Sequence, residues 1–266
     1  MSPIIDGETR LFPIIGDPIK YVQSPRRLTA GFAARGRNAI CCPALVPQGA
    51  LPDAMRALTL IGNVDRLLIT MPHKFAVVDH CATISDRTKL LGAASVARRN
   101  ADGSWHGDML DGLAFVKAQR DAGAKPEGAR VLLIGAGGAG SAIAIALLDA
   151  GVRELLVHDR DERKAHDLLD TLSAYAGGRA RPGRPDPTGC EMVCNASSAG
   201  MAPGDALPVA AALLSPTMFV GDVIAGHGTT PLLHAARGAG CATANGDQMV
   251  EAVQEIMLDF MLNEDA

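Results

Sequence analysis

The stretch that most limits what this chain can become runs Val131-Leu132-Leu133-Ile134-Gly135-Ala136-Gly137-Gly138-Ala139-Gly140-Ser141-Ala142, four apolar residues breaking into glycines and then into alanine-rich sequence. It reads as strand, tight turn and helix. Gly135, Gly137 and Gly140 fill the three positions of a G-x-G-x-x-G fingerprint: one for the turn, one for close backbone approach to a pyrophosphate, one for packing helix on strand. The helix start behind them offers unpaired N–H groups and the positive end of a dipole to phosphate. A glycine-rich turn alone is a weak signal. Here a helix over 139–150, a turn at Gly151 and a second strand over 154–158 lead to Asp159, about 24 residues past Gly135, where a ribose-binding acid is expected.

A length of 266 residues suits two modest domains. Hydrophobic residues make up 48% and aromatics only 3%, so the core is expected to be Ala, Val, Leu and Ile. No apolar run reaches the roughly 18 residues of a membrane span, and Asp6, Glu8 and Arg10 do not resemble a signal peptide. These features predict a soluble, cytoplasmic protein. The six cysteines lack paired C-x-x-C spacing, which predicts reduced, buried thiols and no metal centre. A net charge of −4 without a basic block argues against nucleic acid or an anionic membrane as partner. Oligomeric state leaves no mark in the sequence.

Ahead of the fingerprint, strands are expected at 11–15, which ends in a polar turn running through 21–25, and at 40–46, 66–71 and 92–96, with helices at 26–35 and 50–61, polar helix and loop over 79–91, and a loop at 105–108. This alternation predicts a parallel α/β sheet, in which ligands bind at the carboxyl ends of strands. Ser24, Thr70 and Lys74 fall at such ends, and Asp111 stands at the entrance of a helix over 113–121. Beyond Asp159 come a charged helix over 161–174, an irregular Pro- and Gly-rich loop over 177–189, strands at 192–195, 218–224 and 241–244, and helices at 232–239 and 246–262. The small residues Ala196-Ser197-Ser198-Ala199-Gly200 after one of these strands leave room for a flat ligand against the backbone.

A carboxylate after the second strand of such a unit accepts hydrogen bonds from a ribose 2′-OH and repels a 2′-phosphate, so NAD is expected over NADP. Arg160 and Arg163 could clamp a phosphate, but Asp159 and Asp161 flank Arg160. Hydride transfer at a carbinol carbon needs a group that handles the hydroxyl proton, and Lys74 is best placed for it. Taken singly, Lys74 reads as a solvated lysine and Asp111 as a helix cap. Brought to one place, the pair would keep an ammonium poised against a substrate hydroxyl.

The order of Gly16-Asp17-Pro18-Ile19, Ser24-Pro25, Thr70-Met71-Pro72-His73-Lys74, Gly107-x-x-x-Asp111-Gly112, Gly135-Ala136-Gly137-Gly138-Ala139, Asn195-Ala196-Ser197-Ser198-Ala199-Gly200 and Thr230-Pro231-Leu232-Leu233 resembles that of shikimate dehydrogenases over nearly the whole chain. The resemblance implies an α/β protein with an N-terminal parallel-type substrate domain over 1–110, a Rossmann-like dinucleotide-binding domain over 111–240 and a C-terminal helix over 241–266 returning to the first domain. It implies a cleft between the domains and a catalytic pair at Lys74 and Asp111. Substrate contacts map to Tyr21, Val22, Ser24, Thr70 and Ser95. Cofactor contacts map to Gly135, Ala136, Gly137, Gly138, Ala139, Asp159, Arg160, Asn195, Ser197, Val223, Gly246 and Met249.

The departures sit at the substrate end. The family's Ser-x-Ser-Pro reads Val22-Gln23-Ser24-Pro25, with Tyr21 in place of its histidine. Its asparagines stand as Leu68 and Ser95, its Asn-Thr before the catalytic Asp as Met109-Leu110, a tyrosine near the nicotinamide as Ala225, and its C-terminal glutamine as Val253, with Gln254 one residue off. The expectation is therefore an NAD-dependent oxidoreductase of this type acting on a small cyclic hydroxy acid less hydroxylated than shikimate. The alternatives are an NADP-dependent shikimate dehydrogenase of aromatic amino-acid biosynthesis and a non-catalytic dinucleotide-binding redox sensor.

Overall fold

The computed structural model describes residues 5–20, 22–202 and 204–262. The chain divides into two compact units, Met1–Leu110 with Gln254–Ala266, and Asp111–Val253.

In the first unit, β1 (Arg10–Gly16) lies between two strands parallel to it, β2 (Ala39–Leu45) and β3 (Arg66–Ile69). Parallel neighbours need crossovers, which α1 (Ser24–Ala34) and α2 (Leu51–Leu60) supply. Helix α1 starts at Ser24 rather than at 26, with Pro25 in its first turn, where a missing N–H costs nothing. One face of the sheet packs Ile15, Leu67 and Ile69 onto Leu51 and Met55 of α2. Helix α1 buries Leu28 and Phe32, the latter with its ring 5.0 Å from that of Phe12.

The sheet is mixed rather than parallel throughout. After the short β4 (Thr83–Ile84) and α3 (Asp86–Leu91), the strands β5 (Val96–Arg99) and β6 (Trp105–Asp108) form an antiparallel hairpin, and β5 also runs antiparallel to β3. The sequence suggested a strand at 92–96 and a loop at 105–108. A connection of only five residues permits nothing but antiparallel pairing. It is closed by Asn100 N–H to Ser104 O at 2.8 Å and Gly103 N–H to Asn100 O at 3.0 Å. Trp105, 3% exposed, anchors the second strand: its indole N–H donates to Thr59 Oγ1 at 2.9 Å, and Arg99 stacks 4.7 Å above the ring. The α/β class stands.

The second unit starts with α4 (Asp111–Asp121), followed by β7 (Arg130–Ile134), α5 (Gly138–Asp149), β8 (Glu154–His158), α6 (Glu162–Ala176), β9 (Ala180–Pro182), β10 (Met192–Asn195), β11 (Phe219–Asp222), α7 (Pro231–Gly238) and β12 (Ala242–Ala244). Its strand order is β12-β11-β10-β7-β8-β9, and every pair is parallel. That is the doubly wound Rossmann order, with the chain reversing direction of travel between β7 and β10. Strands buried on both faces must be apolar along their length, as Val131-Leu132-Leu133-Ile134 are. The loop expected over 177–189 includes the edge strand β9, where Pro182 is tolerated.

Helix α8 (Gly246–Leu262) closes the chain, and its residues from Gln254 onward belong to the first unit. There Gly31 of α1 lets Leu258 approach: a Cβ on Gly31 would lie 2.5 Å from that leucine's side chain. Arg35 donates to Asp259 at 2.8 Å, and Arg66 to the carbonyl of Met261 at 2.9 Å. Among the described residues no helix is long and apolar enough to cross a membrane, and no group of His, Cys, Asp and Glu could hold a metal ion. All six cysteines are free thiols; burial pushes Cys41 and Cys194 up to about 12 and Cys81 to about 11.

Candidate active site

In the Asp111–Val253 unit the cradle forms where β7 ends. Gly135 has φ +100°, a conformation that L side chains rarely adopt, and its N–H donates to His158 O at 2.8 Å. Gly140 is needed for packing, since a Cβ there would lie 1.9 Å from Gly135 O. Gly137 is different: a Cβ would meet nothing within 4 Å. The protein does not require a glycine there, which is what is expected where a ligand must come close. Gly137 caps α5 without a side-chain hydrogen bond, so the helix presents open N–H groups at Gly138, Ala139 and Gly140.

Asp159 closes the loop from the other strand. One of its oxygens accepts from Ala136 N–H at 2.8 Å, the other from Asp161 N–H at 2.9 Å, and a carboxylate has acceptor capacity left for a ribose hydroxyl. Gly135, Gly137, Asp159, Arg160, Lys164 and Ser197 are among the residues lining a cavity of about 510 Å³. A nicotinamide dinucleotide fits these donors: amides at a helix start for the pyrophosphate, a carboxylate for the adenosine ribose. At the end of β10, Asn195 Oδ1 accepts from Ser197 N–H and Oγ–H, which folds the following turn. Val223 donates its N–H to Asn195 O at 3.0 Å, and a Cβ on Gly246 would lie 2.4 Å from Val223 O. Asn195, Ser197, Val223 and Gly246 thus belong to one region. Met249 is half-buried one turn into α8.

In the first unit the carboxyl ends of β1, β2 and β3 are knitted together. Asp17 N–H donates to Met71 O, Thr70 N–H to Ile15 O, and Val46 N–H to Gly16 O. Lys74, half-buried, has its backbone held by Ala94 N–H to Lys74 O at 2.8 Å. The preceding His73 is fully buried and its Nε2 lies 2.7 Å from Val46 O, which can only accept, so Nε2 carries the proton. Ser24 is 9% exposed and Thr70 half-buried. Ser95 is fully buried, and its Oγ accepts from Leu110 N–H at 3.0 Å. Val22 is half-buried, and Tyr21 lies outside the described residues.

Residues 14–96 match the shikimate dehydrogenase substrate binding domain, and residues 117–177 match the shikimate/quinate 5-dehydrogenase family. The NADP(+) shikimate dehydrogenase of Rubrobacter xylanophilus is 37% identical over 254 residues, 93% of this chain and 89% of that protein. The chain belongs to the shikimate dehydrogenase family. It is a NAD(P)-dependent oxidoreductase of the alcohol-dehydrogenase type. Among solved structures, the shikimate 5-dehydrogenase of Listeria monocytogenes in complex with shikimate and NAD superposes with a TM-score of 0.89 at 26% identity, covering 96% of this chain and 92% of that one. The ligand-free 5-ketofructose reductase of Gluconobacter sp. strain CHM43 gives 0.87 at 28% identity, covering 96% and 94%.

Within this family member, Lys74 falls in the first unit and Asp111 opens the second. Three residues before Asp111, Asp108 is 7% exposed and bound by the Arg87 fork at 2.8 and 2.6 Å and by the Ser85 hydroxyl. No local pattern marks this group, because Ser85 and Arg87 stand at the start of α3, more than twenty residues before Asp108, and it is the pairing of β4 with β6 that brings them together. Burial alone would push the Asp108 carboxyl up, but bonds from Arg87, Ser85 and Met109 N–H outweigh it and hold it below the usual range. A lowered folded-state value stabilises above the unfolded-state pKa, and the contribution is lost as pH falls through the folded value. Arg87→Leu leaves that carboxylate buried and uncompensated, so a loss of about 3 kcal/mol is expected at neutral pH. The deficit should shrink in acid as Asp108 protonates. Urea denaturation at both pH values measures it, and an equal deficit at both would show that only packing was lost.

Proposed function

We propose that this protein transfers a hydride between NAD and a ring hydroxyl or ketone of a small cyclic hydroxy acid other than shikimate. The observation that carries the substrate reading is the set of groups standing where the family offers polar contacts. Leu68, Met109 and Leu110 are 0%, 5% and 3% exposed, and the Ser95 hydroxyl is engaged by Leu110 N–H. A substrate hydroxyl directed at the Leu68, Met109 or Leu110 positions would find no polar partner there, at about 1–3 kcal/mol each. Ser24 and Thr70 remain as hydroxyls for an acid substrate.

In this reading Lys74 gives or takes the proton of the reacting hydroxyl, and Asp111 orients it. Bound nicotinamide supplies or accepts the hydride. The glycine loop and the start of α5 hold the pyrophosphate, and Asp159 takes the adenosine ribose. Asp159 supports NAD as the preferred cofactor, because a carboxylate repels a 2′-phosphate. The second reading, an NADP-dependent shikimate dehydrogenase, is favoured by Arg160 and Lys164 on the same cavity and by the cofactor named for the Rubrobacter relative. Rates with NADH and NADPH over a panel of cyclic oxo acids, 3-dehydroshikimate included, separate the two. On the first reading Asp159→Asn should move the kcat/KM ratio toward NADP by about ten-fold or more, the equivalent of about 1.4 kcal/mol in one charge–charge contact. An unchanged ratio would remove Asp159 from cofactor choice.

A further inference from the structure

One carboxylate outside the residues assigned so far ties together the two turns that face the far half of the dinucleotide. Asp222, the last residue of β11, is fully buried. Its Oδ1 accepts from Asn195 Nδ2 and from Ile224 N–H, each at 3.1 Å, and its Oδ2 from Thr230 Oγ1 at 2.6 Å. Asn195 in turn organises the 196–199 turn: its Oδ1 binds Ser197 twice, its Nδ2 also donates to Ala199 O, and Ser197 Oγ accepts from Ala199 N–H. That turn abuts the glycine loop, for a Cβ on Gly135 would lie 2.8 Å from the carbonyl of Ala196. On the other side, Ile224 starts the 224–230 turn, against which Gly246 is packed so closely that a Cβ would lie 2.4 Å from Ile224 C. Thr230 ends it and caps α7 by accepting from Leu233 N–H.

In a doubly wound sheet the adenosine lies toward β8, on the Asp159 side, and the dinucleotide crosses the switch between β7 and β10, so its nicotinamide half reaches the ends of β10 and β11. We propose that Asp222 is the positioning residue for the nicotinamide half of the cofactor, acting through the 196–199 and 224–230 turns that it joins. This rests on the dinucleotide reading of the unit. Asp222 touches no ligand itself; it fixes the relative placement of two backbone segments that do. A neutral or apolar replacement loosens both turns at once and leaves the glycine loop, the α5 N-terminus and Asp159 unchanged.

The test is binding of NADH and of ADP-ribose, which lacks the nicotinamide, to the wild type and to Asp222→Asn, Thr230→Val and Thr230→Ser. Asp222→Asn and Thr230→Val should bind ADP-ribose within about three-fold of the wild type and NADH about ten-fold or more weaker, the scale of losing a buried hydrogen bond to a charged group. Thr230→Ser, which keeps the hydroxyl, should bind both as the wild type does. Should Asp222→Asn fail to fold, the Thr230 pair decides. NADH binding unchanged in the variants, or NADH and ADP-ribose weakened by one common factor, overturns the proposal. A wild type that bound neither ligand would instead overturn the dinucleotide reading beneath it.

Discussion

Replacing Lys74 with alanine is expected to lower turnover by about 10²–10⁴-fold, the range contributed by a positioned acid–base group, while NADH affinity changes by less than about three-fold. The two effects separate because Lys74 belongs to the first unit, whereas the glycine loop, the α5 N-terminus and Asp159 belong to the second. Lys74→Arg should fail almost as completely. A guanidinium keeps its charge but does not release its proton near neutral pH, so it cannot exchange one with a substrate hydroxyl. Initial rates of NADH oxidation with the best acid of the panel, together with a direct NADH titration, measure both quantities. Turnover retained by Lys74→Ala would remove this lysine from the proton-transfer step and leave the dinucleotide site untouched.

What could be read from the sequence follows from what each residue answers to. Gly135 and Gly140 answer to backbone geometry within a few positions of themselves, a left-handed turn and a carbonyl 1.9 Å from a would-be Cβ. Local demands of that kind leave a motif, as does an acid at the end of the next strand. Asp222 answers to Asn195, 27 residues away, and Asp108 to Arg87, 21 residues away. Neither spacing follows any local period, so Asp108 reads only as a loop residue and Asp222 only as a polar position within a strand. Trp105 to Asp108 looked like a loop because Gly107 and Asp108 weaken a strand pattern. The strand is secured by an indole bond to Thr59 and by pairing with β5, which no window around Trp105 contains. Ser95 could be placed near the substrate by likeness to the family, but the bond its hydroxyl makes to Leu110 N–H depends on the antiparallel register of β5 and β6.

Gly112 shows the same division, and it should be the most damaging glycine to replace outside the fingerprint. It follows Asp111 directly, in the first turn of α4, and faces α5. A Cβ on Gly112 would lie 2.0 Å from Ala142 O and 2.5 Å from Ala142 C. Both atoms are helix backbone and cannot rotate away as a side chain would, so α4 itself must shift. Overpacking costs about 1–3 kcal/mol and occasionally more, and a clash with backbone belongs at the upper end. Gly112→Ala should therefore lower the denaturation midpoint by an amount equivalent to about 3 kcal/mol, and should lower kcat by displacing Asp111 along with its helix. Gly137→Ala is the contrasting substitution. Its Cβ meets nothing within 4 Å and its φ of −78° suits alanine, so stability should hold while NADH affinity falls. If Gly112→Ala kept both stability and kcat, the helix would be free to move without consequence, and Asp111 would not depend on its placement against α5.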